Sequence, residues 1–178
     1  MLEALTLHPQ AFGLDISDIG IKIAFLEKKK QGFQLHSFGE FSLPSGIVEK
    51  GEIKQQDELA KVLRDAVARL GNKLPTREVV VSLPEEQAFL QVVQLPRMKK
   101  EELEHAVVFE AENYIPHSIE KVYLDFQVVR PYHNHLDHTD VLLAALPRIT
   151  VDSYVTVLEK AGLTPRILEI ESLSVARA

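Results

Sequence analysis

The chain has 178 residues, enough for one domain or for one large and one small unit, and its 46% hydrophobic content suits a globular fold with a sizeable core. A formal net charge of −6 argues against a nucleic-acid-binding protein, which normally carries a basic face. No apolar run approaches the roughly 20 residues that a membrane-spanning helix needs, and the first ten residues lack the pattern of a signal peptide. We therefore expect a soluble cytoplasmic protein.

The segment Phe12–Leu26 predicts a β-hairpin at the start of the fold. Apolar residues lead up to Asp15, a polar turn follows over Ser17–Gly20, and apolar residues then alternate with polar ones. Gly20 can take a positive φ at no steric cost, which suits a tight turn. Asp15 and Lys22 would face each other across this turn, and such a pair can hold a phosphate and its metal ion.

The following segments predict half of an α/β layer. Phe33–Phe41 alternates and should form a third antiparallel strand, while Lys28–Lys30 before it is typical of a solvated hairpin turn. Residues 44–51 are expected to form a loop. Asp57–Leu70 carries one apolar helical face, and Glu78–Leu83 is a continuous apolar run suited to the middle of a sheet.

The pattern then changes to strand, helix, strand, strand, over Ala88–Gln94, Lys99–Tyr114, Val122–Arg130 and Asp140–Leu146. This order predicts a compact unit with one helix on a three-stranded sheet. A helix over Val151–Ala161, a strand over Arg166–Glu169 and a helix with Ser172 as its N-cap are expected to follow. Because the residues end inside that last helix, we interpret the chain as a fragment of a longer protein.

Two sets of motifs resemble known proteins. Asp15 to Lys22 resembles the first phosphate loop of the actin-like ATPases, which usually runs Asp-x-Gly-Ser/Thr with a later Lys. Leu95–Leu103, Phe109–Pro116 and Leu124–Val128 are more specific, because they are similar to the inserted subdomain of the PilM family of type IV pilus assembly proteins. The second resemblance extends over nearly the whole chain from Gly13.

The PilM resemblance implies an α/β fold with an actin-like (ribonuclease H-like) core subdomain and an inserted strand-helix-strand-strand subdomain. The core subdomain is expected at residues 1–84 and 148–178, and the inserted α+β subdomain at residues 85–147. It also implies a second half outside these residues, which carries the other phosphate loop and the adenosine contacts. The ATP-binding cleft would then be only half present here.

The same resemblance implies a cytoplasmic scaffold of type IV pilus assembly, held at the inner face of the cell membrane through its partners. The implied partner is the cytoplasmic N-terminal tail of the inner-membrane protein PilN, lying in an apolar groove between core and insert. Other inner-membrane platform proteins would be further partners. The alternative is an FtsA-type actin-like cell-division protein, whose full chain should end in an amphipathic membrane helix.

The implied cofactors of the full-length protein are ATP and Mg²⁺, and the implied contacts in this chain are Asp15, Ser17, Asp18, Ile19 and Lys22. Asp15 would order the metal ion through water, and Lys22 would meet the phosphates. No tightly bound nucleotide and no complete ATPase site are expected here, so we expect a scaffold rather than an enzyme.

Two residues depart from the family pattern of the phosphate loop. Ser17 stands where the pattern has Gly, so the backbone can approach a phosphate less freely. Asp18 stands where a hydroxyl is usual, and a carboxylate ~4 Å from a phosphate charge costs about 4 kcal/mol at an effective dielectric of ~20. That cost equals nearly a thousandfold in affinity, unless a cation bridges the two charges or the side chain is turned away.

The segment His133–His138 spells the HxHxDH signature of two-metal hydrolases, which gives a distant alternative function. No histidine follows His138, so the remaining ligands of such a site are missing from this chain. The segment also stands where a hairpin loop is predicted. We therefore expect a solvent-exposed loop and no catalytic metal site.

Overall fold

The computed structural model describes residues 10–116, 118–129 and 137–177. Its internal contacts divide the chain into a core unit, which runs to Glu86 and resumes at Asp152, and an insert unit, Gln87–Val151. The boundaries expected from the sequence, after residues 84 and 147, fall a few residues earlier.

Besides three single-turn 3-10 helices, the described residues contain ten strands and four α-helices. In chain order they are β1 (Phe12–Ile16), β2 (Gly20–Lys29), β3 (Gly32–Ser42), β4 (Val48–Glu49), β5 (Glu52–Ile53), α1 (Gln56–Leu70), β6 (Glu78–Leu83), β7 (Phe89–Pro96), α2 (Lys100–Tyr114), β8 (Val122–Val129), β9 (His138–Pro147), α3 (Arg148–Lys160), β10 (Thr164–Ile170) and α4 (Glu171–Arg177).

The core unit is built on a five-stranded mixed sheet in the order β10-β6-β1-β2-β3. β1 pairs with β6 in parallel and with β2 antiparallel, and β10 pairs with β6 in parallel. Alternate side chains of β1 and β2 are buried, among them Phe12, Ile21 and Ile23. This alternation is the one expected for strands that turn one face to a core.

Helix α1 buries the apolar face that its sequence predicts, and Gly71 follows it with a φ of 51°. Its first turn is tied to α3, because the Gln56 amide donates to the Ser153 hydroxyl at 3.1 Å. Lys160 Nζ lies 2.8 Å from Asp57 Oδ1 and holds the pKa of that carboxyl below its ordinary value. The two helices are therefore fastened to each other at the surface.

The insert unit packs α2 on a three-stranded sheet in the order β7-β9-β8, as the sequence pattern predicts. Its core contains Val93 of β7, Val107 and Ala111 of α2, and Leu143 of β9, all nearly or fully buried. β7 and β9 are longer than expected, since β7 continues through Pro96 and β9 already begins at His138.

Three local expectations are wrong. Gly20 does not adopt a positive φ; a Cβ at this position would lie 3.0 Å from the Phe41 carbonyl oxygen, so the glycine is needed for close approach of the strands. Ser172 is not an N-cap, because α4 begins one residue earlier at Glu171. Residues 44–51 are not only a loop, because β4 and β5 form a small hairpin that begins at Val48.

Candidate functional site

The carboxyl ends of three parallel strands meet at one edge of the core sheet, which we call the carboxyl edge. β1, β6 and β10 run in parallel, so the residues that follow them lie along the same side of the sheet. Ligands of open α/β sheets bind in the crevice outside this side. The carboxyl edge is therefore the candidate site of the core unit.

Asp15 and Lys22 occupy the positions that the sequence predicts. They are opposite each other in the antiparallel register of β1 and β2, with Asp15 partly buried and Lys22 exposed. The turn between them is closed by Ser17, whose backbone N–H and hydroxyl donate to the Gly20 carbonyl at 2.9 and 3.1 Å. The hairpin thus brings one carboxylate and one ammonium group to the carboxyl edge.

Ile19 lies at the tip of this turn, where its side chain is 81% exposed. Its carbonyl oxygen accepts a hydrogen bond from the Leu43 N–H at 2.9 Å, which joins the turn to the end of β3. Ile19 contributes backbone geometry to the turn and leaves its apolar side chain in water.

The Asp18 carboxylate is bound to backbone donors of the chain itself. It accepts hydrogen bonds from the N–H groups of Lys50 at 2.7 Å and Gly51 at 3.1 Å. These two residues form the turn between β4 and β5, and both have positive φ, 50° and 73°. Two adjacent donors in such a turn are a common anion-binding arrangement, and here their anion is Asp18.

Tyr154 of α3 is hydrogen-bonded to the same β4–β5 turn that binds Asp18. Its hydroxyl donates to the Gly51 carbonyl oxygen at 3.1 Å and is buried. Burial raises the pKa of this phenol well above its ordinary value, and the negative charges of Asp18, Glu86 and Asp15 raise it further. The β1–β2 turn, the β4–β5 hairpin and α3 are therefore joined in one hydrogen-bonded network.

An open cleft of about 720 Å³ lies at the carboxyl edge and is lined by Glu85, Glu86, Glu171, Ser172, Val175 and Ala176. Glu85 and Glu86 follow β6, and Glu171 follows β10. In the same way, Asp15 lies near the end of β1 and Asp18 follows it. The edge is therefore rich in carboxylates.

The chain matches the protein family described as type IV pilus assembly protein PilM over residues 13–178. The chain belongs to this family. A solved structure described as the PilM-PilN type IV pilus biogenesis complex is similar, with 28% sequence identity and a TM-score of 0.79 over 93% of this chain. This chain spans 48% of the length of that protein, so it corresponds to about half of it.

A second solved structure is similar at the level of the fold. It is the cytoplasmic domain of EpsL, an inner membrane component of the type II secretion system of Vibrio cholerae, with 16% identity and a TM-score of 0.54. The match covers 88% of this chain and 56% of that one. With the mixed core sheet and the inserted unit, these likenesses confirm the expected actin-like α/β fold of a PilM-family protein.

The carboxyl edge presents carboxylates and one lysine, but among the described residues no three metal-ligand side chains come together to hold a cation unaided. Carboxylate oxygens such as those of Asp15 and Glu86 are the ligands that Mg²⁺ prefers. The backbone N–H groups of Lys50 and Gly51, which would suit a phosphate, already bind Asp18. In the β1–β2 hairpin, the Lys22 ammonium group is the positive charge that lies at the carboxyl edge and could contact a phosphate.

The histidine segment falls largely outside the described residues, since these do not include His133 or His135. His138 is described, and its expected place in an exposed loop is wrong. It is the first residue of β9, its side chain is 21% exposed, and its Nε2 lies 3.4 Å from Asp140 Oδ1. Across the described ranges, no group of three or more metal-ligand side chains comes together.

The sequence interpretation missed the partners of Asp18 and the role of Tyr154. The segment Val48–Ile53 carries a usable signal, because a glycine in a two-residue turn between apolar residues favours a hairpin. Tyr154 carries none, because its hydrogen bond to Gly51 joins residues 103 positions apart. Such a contact exists only in the folded chain.

Proposed function

We propose that this chain is part of a cytoplasmic scaffold of type IV pilus assembly that binds the cytoplasmic N-terminal tail of PilN. The observation that carries the proposal is the likeness to the PilM-PilN complex, which extends over 93% of this chain. Family membership over residues 13–178 supports the role in pilus assembly independently. Where the tail lies on the surface, and whether other platform proteins bind, stay predictions.

The proposed route to the inner membrane is through PilN. In the part of the chain that the structure describes, no helix is long and apolar enough to cross a bilayer. A tail supplied by a membrane protein would hold the scaffold at the inner face of the membrane. We favour this function over that of an FtsA-type division protein because the family match is to PilM.

Binding of ATP and Mg²⁺ by the full-length protein is a second, separate proposal. Asp15 would hold the metal ion through water, Lys22 would contact the phosphates, and the turn of Ser17, Asp18 and Ile19 would border them. The opposed positions of Asp15 and Lys22 support this assignment. A bound metal ion would neutralise part of the negative charge that the carboxyl edge presents to a phosphate.

The orientation of Asp18 lowers the electrostatic cost expected from the sequence. Its charge is shared with two backbone N–H groups and is directed at the β4–β5 turn. Replacing Ser17 by Gly and Asp18 by Ser should still strengthen nucleotide binding, but by much less than the thousandfold that an opposed pair at ~4 Å implies.

Co-elution tests the proposal on PilN. The PilN tail, fused to a small carrier protein, is mixed with the purified chain and passed over a size-exclusion column, with and without ATP and Mg²⁺. We expect a shared peak in both conditions, because the scaffold role does not depend on hydrolysis. Separate peaks at micromolar to millimolar concentrations, from a folded chain, would contradict the proposal.

A further inference from the structure

The β2–β3 hairpin presents an apolar strip on the sheet face opposite the buried core residues. Leu26 and Leu35 are paired across the two strands, and Phe33 and Phe38 lie on the same face. These side chains are 53% (Leu26), 57% (Leu35), 71% (Phe33) and 55% (Phe38) exposed. We call these four residues the outer strip. Contiguous exposed apolar patches of this kind mark interaction sites.

Lysines stand at the end of the outer strip. Lys28 pairs with Phe33 in the register and shares its face, and Lys30 lies in the turn that the Lys29–Gly32 pair closes. We call Lys28–Lys30 the lysine tip. The Lys29 ammonium group is paired with the Glu27 carboxylate, with 2.6 Å between Nζ and Oε2. Lys28 and Lys30 therefore supply the positive charge of the tip that is available to a partner. In a chain of net charge −6, this is the one run of three consecutive basic residues.

The other charges of this face are negative in sum, because Lys22 stands opposite Asp15 of β1 as well as Glu40 of β3. Lys22 and Glu40 are opposite each other in the register of β2 and β3, farther along the hairpin from the tip. His36 contacts the ring of Phe25 edge-on, with 5.6 Å between the ring centroids. The positive charge is therefore concentrated at the lysine tip, next to the most exposed aromatic side chain of the strip.

We propose that the outer strip and the lysine tip dock on an anionic lipid surface. Apolar side chains enter the boundary between headgroups and acyl chains, while lysines beside them are attracted to anionic lipids. Leu26, Phe33 and Leu35 lie where β2 pairs with β3 beyond its pairing with β1, so this part of the strip extends past β1 toward the lysine tip. Charge complementarity selects anionic over neutral lipid.

This contact goes beyond the proposed PilN scaffold. One weak membrane-binding element gives reversible attachment, whereas two such elements together give stable anchoring. The hairpin would add a direct lipid contact to the link that PilN supplies, so that two weak interactions reinforce each other. It would also orient the core unit, because only one face of its sheet carries the strip.

Vesicle co-sedimentation in the absence of PilN tests the proposal. The 178-residue chain is mixed with vesicles of phosphatidylcholine alone or of phosphatidylcholine with 30% phosphatidylglycerol. Each mixture is measured at roughly 0.1 M and 0.5 M salt. We expect partitioning into the anionic vesicles, weakened by high salt. Replacing Lys28 and Lys30 by Gln should reduce partitioning by about 25-fold, since each lysine near an anionic surface contributes roughly fivefold.

The lipid experiment has matched controls in the insert unit. Lys100 and Lys121 are exposed, and replacing both by Gln changes the net charge equally without touching the hairpin. For the outer strip, the Phe33→Ser/Leu35→Ser variant should partition at least about tenfold less, because burial of one such side chain is worth one to two powers of ten. The exposed pair Val108→Ser/Phe109→Ser on α2 is its control.

Two outcomes would overturn the lipid proposal. One is equal binding to neutral and anionic vesicles; the other is hairpin variants that partition like their controls while keeping the parent melting temperature. A changed sedimentation coefficient of the hairpin variants without lipid would then assign the strip to a second copy of the chain. Because PilN is absent from the assay, its failure leaves the PilN proposal standing.

Discussion

The Asp18 carboxylate should hold the β1–β2 turn to the β4–β5 hairpin, and Asp18→Ala tests this directly. The substitution removes both hydrogen bonds from the N–H groups of Lys50 and Gly51, at 2.7 and 3.1 Å. A hydrogen bond to a charged group contributes roughly 1.5–3 kcal/mol when well buried. Because Asp18 is exposed and water can replace it at Lys50, we expect a total loss of about 2 kcal/mol.

The assay is urea unfolding followed by circular dichroism, with thermal melting as a second measure. For a chain of this size, a loss of 2 kcal/mol corresponds to a melting temperature lower by about 4–8 °C. Asp18→Asn keeps one acceptor oxygen but loses the charge, so it should lie between the parent and Asp18→Ala. Asp65→Ala, an exposed acid of α1, is the matched control for removing a negative charge.

The result that would refute this reasoning is an Asp18→Ala variant whose unfolding free energy stays within ~0.5 kcal/mol of the parent, as for an ordinary surface position. The same would follow if Asp65→Ala lost as much stability as Asp18→Ala. In either case the two hydrogen bonds would not hold the hairpin, and Asp18 would be free to face a bound phosphate.

Three further predictions concern the same region. Tyr154→Phe should lower the free energy of unfolding by about 1 kcal/mol near neutral pH. Because the pKa of Tyr154 in the folded protein lies above the ordinary 10.0, the parent should also lose about 1.4 kcal/mol of stability per pH unit above pH 10. Urea unfolding at pH 9 and 11 should show this additional loss in the parent and not in the variant. Gly20→Ala should destabilise the fold by about 1–3 kcal/mol, because the new Cβ would lie 3.0 Å from the Phe41 carbonyl oxygen. In the control Gly13→Ala, the new Cβ would lie 3.6 Å from its nearest atom, so this variant should be close to neutral. Equal losses of stability in the two variants would contradict the prediction. In the full-length protein, Lys22→Ala should weaken ATP binding about tenfold or more by calorimetry, and an unchanged dissociation constant would remove Lys22 from the site.

The sequence predicts most of the elements because their patterns are local. The alternation in β1 and β2 and the helical spacing in α1 each depend on residues close in the chain, and each predicted element is present. The opposed positions of Asp15 and Lys22 also follow locally, because a short hairpin turn fixes their register. These are the parts of the candidate site that needed no tertiary contact.

The remaining features depend on contacts distant in sequence. Asp18 meets Lys50 and Gly51 32 and 33 residues away, so its orientation cannot be read from the turn that contains it. Ser172 resembled an N-cap by composition, yet β10 continues to Ile170 and α4 starts directly after it, which places the serine inside the helix. Local propensity here yields to tertiary structure.

Binding of the PilN tail is the most direct measurement of the central claim. A fluorescently labelled peptide of the cytoplasmic N-terminal tail is titrated with the purified chain, and its anisotropy is followed beside a scrambled peptide of the same composition. We predict saturable binding of the native sequence, with or without ATP, and no saturation by the scrambled one. Absence of saturable binding up to millimolar concentration, by a chain shown to be folded, would contradict a PilN-binding surface within these 178 residues.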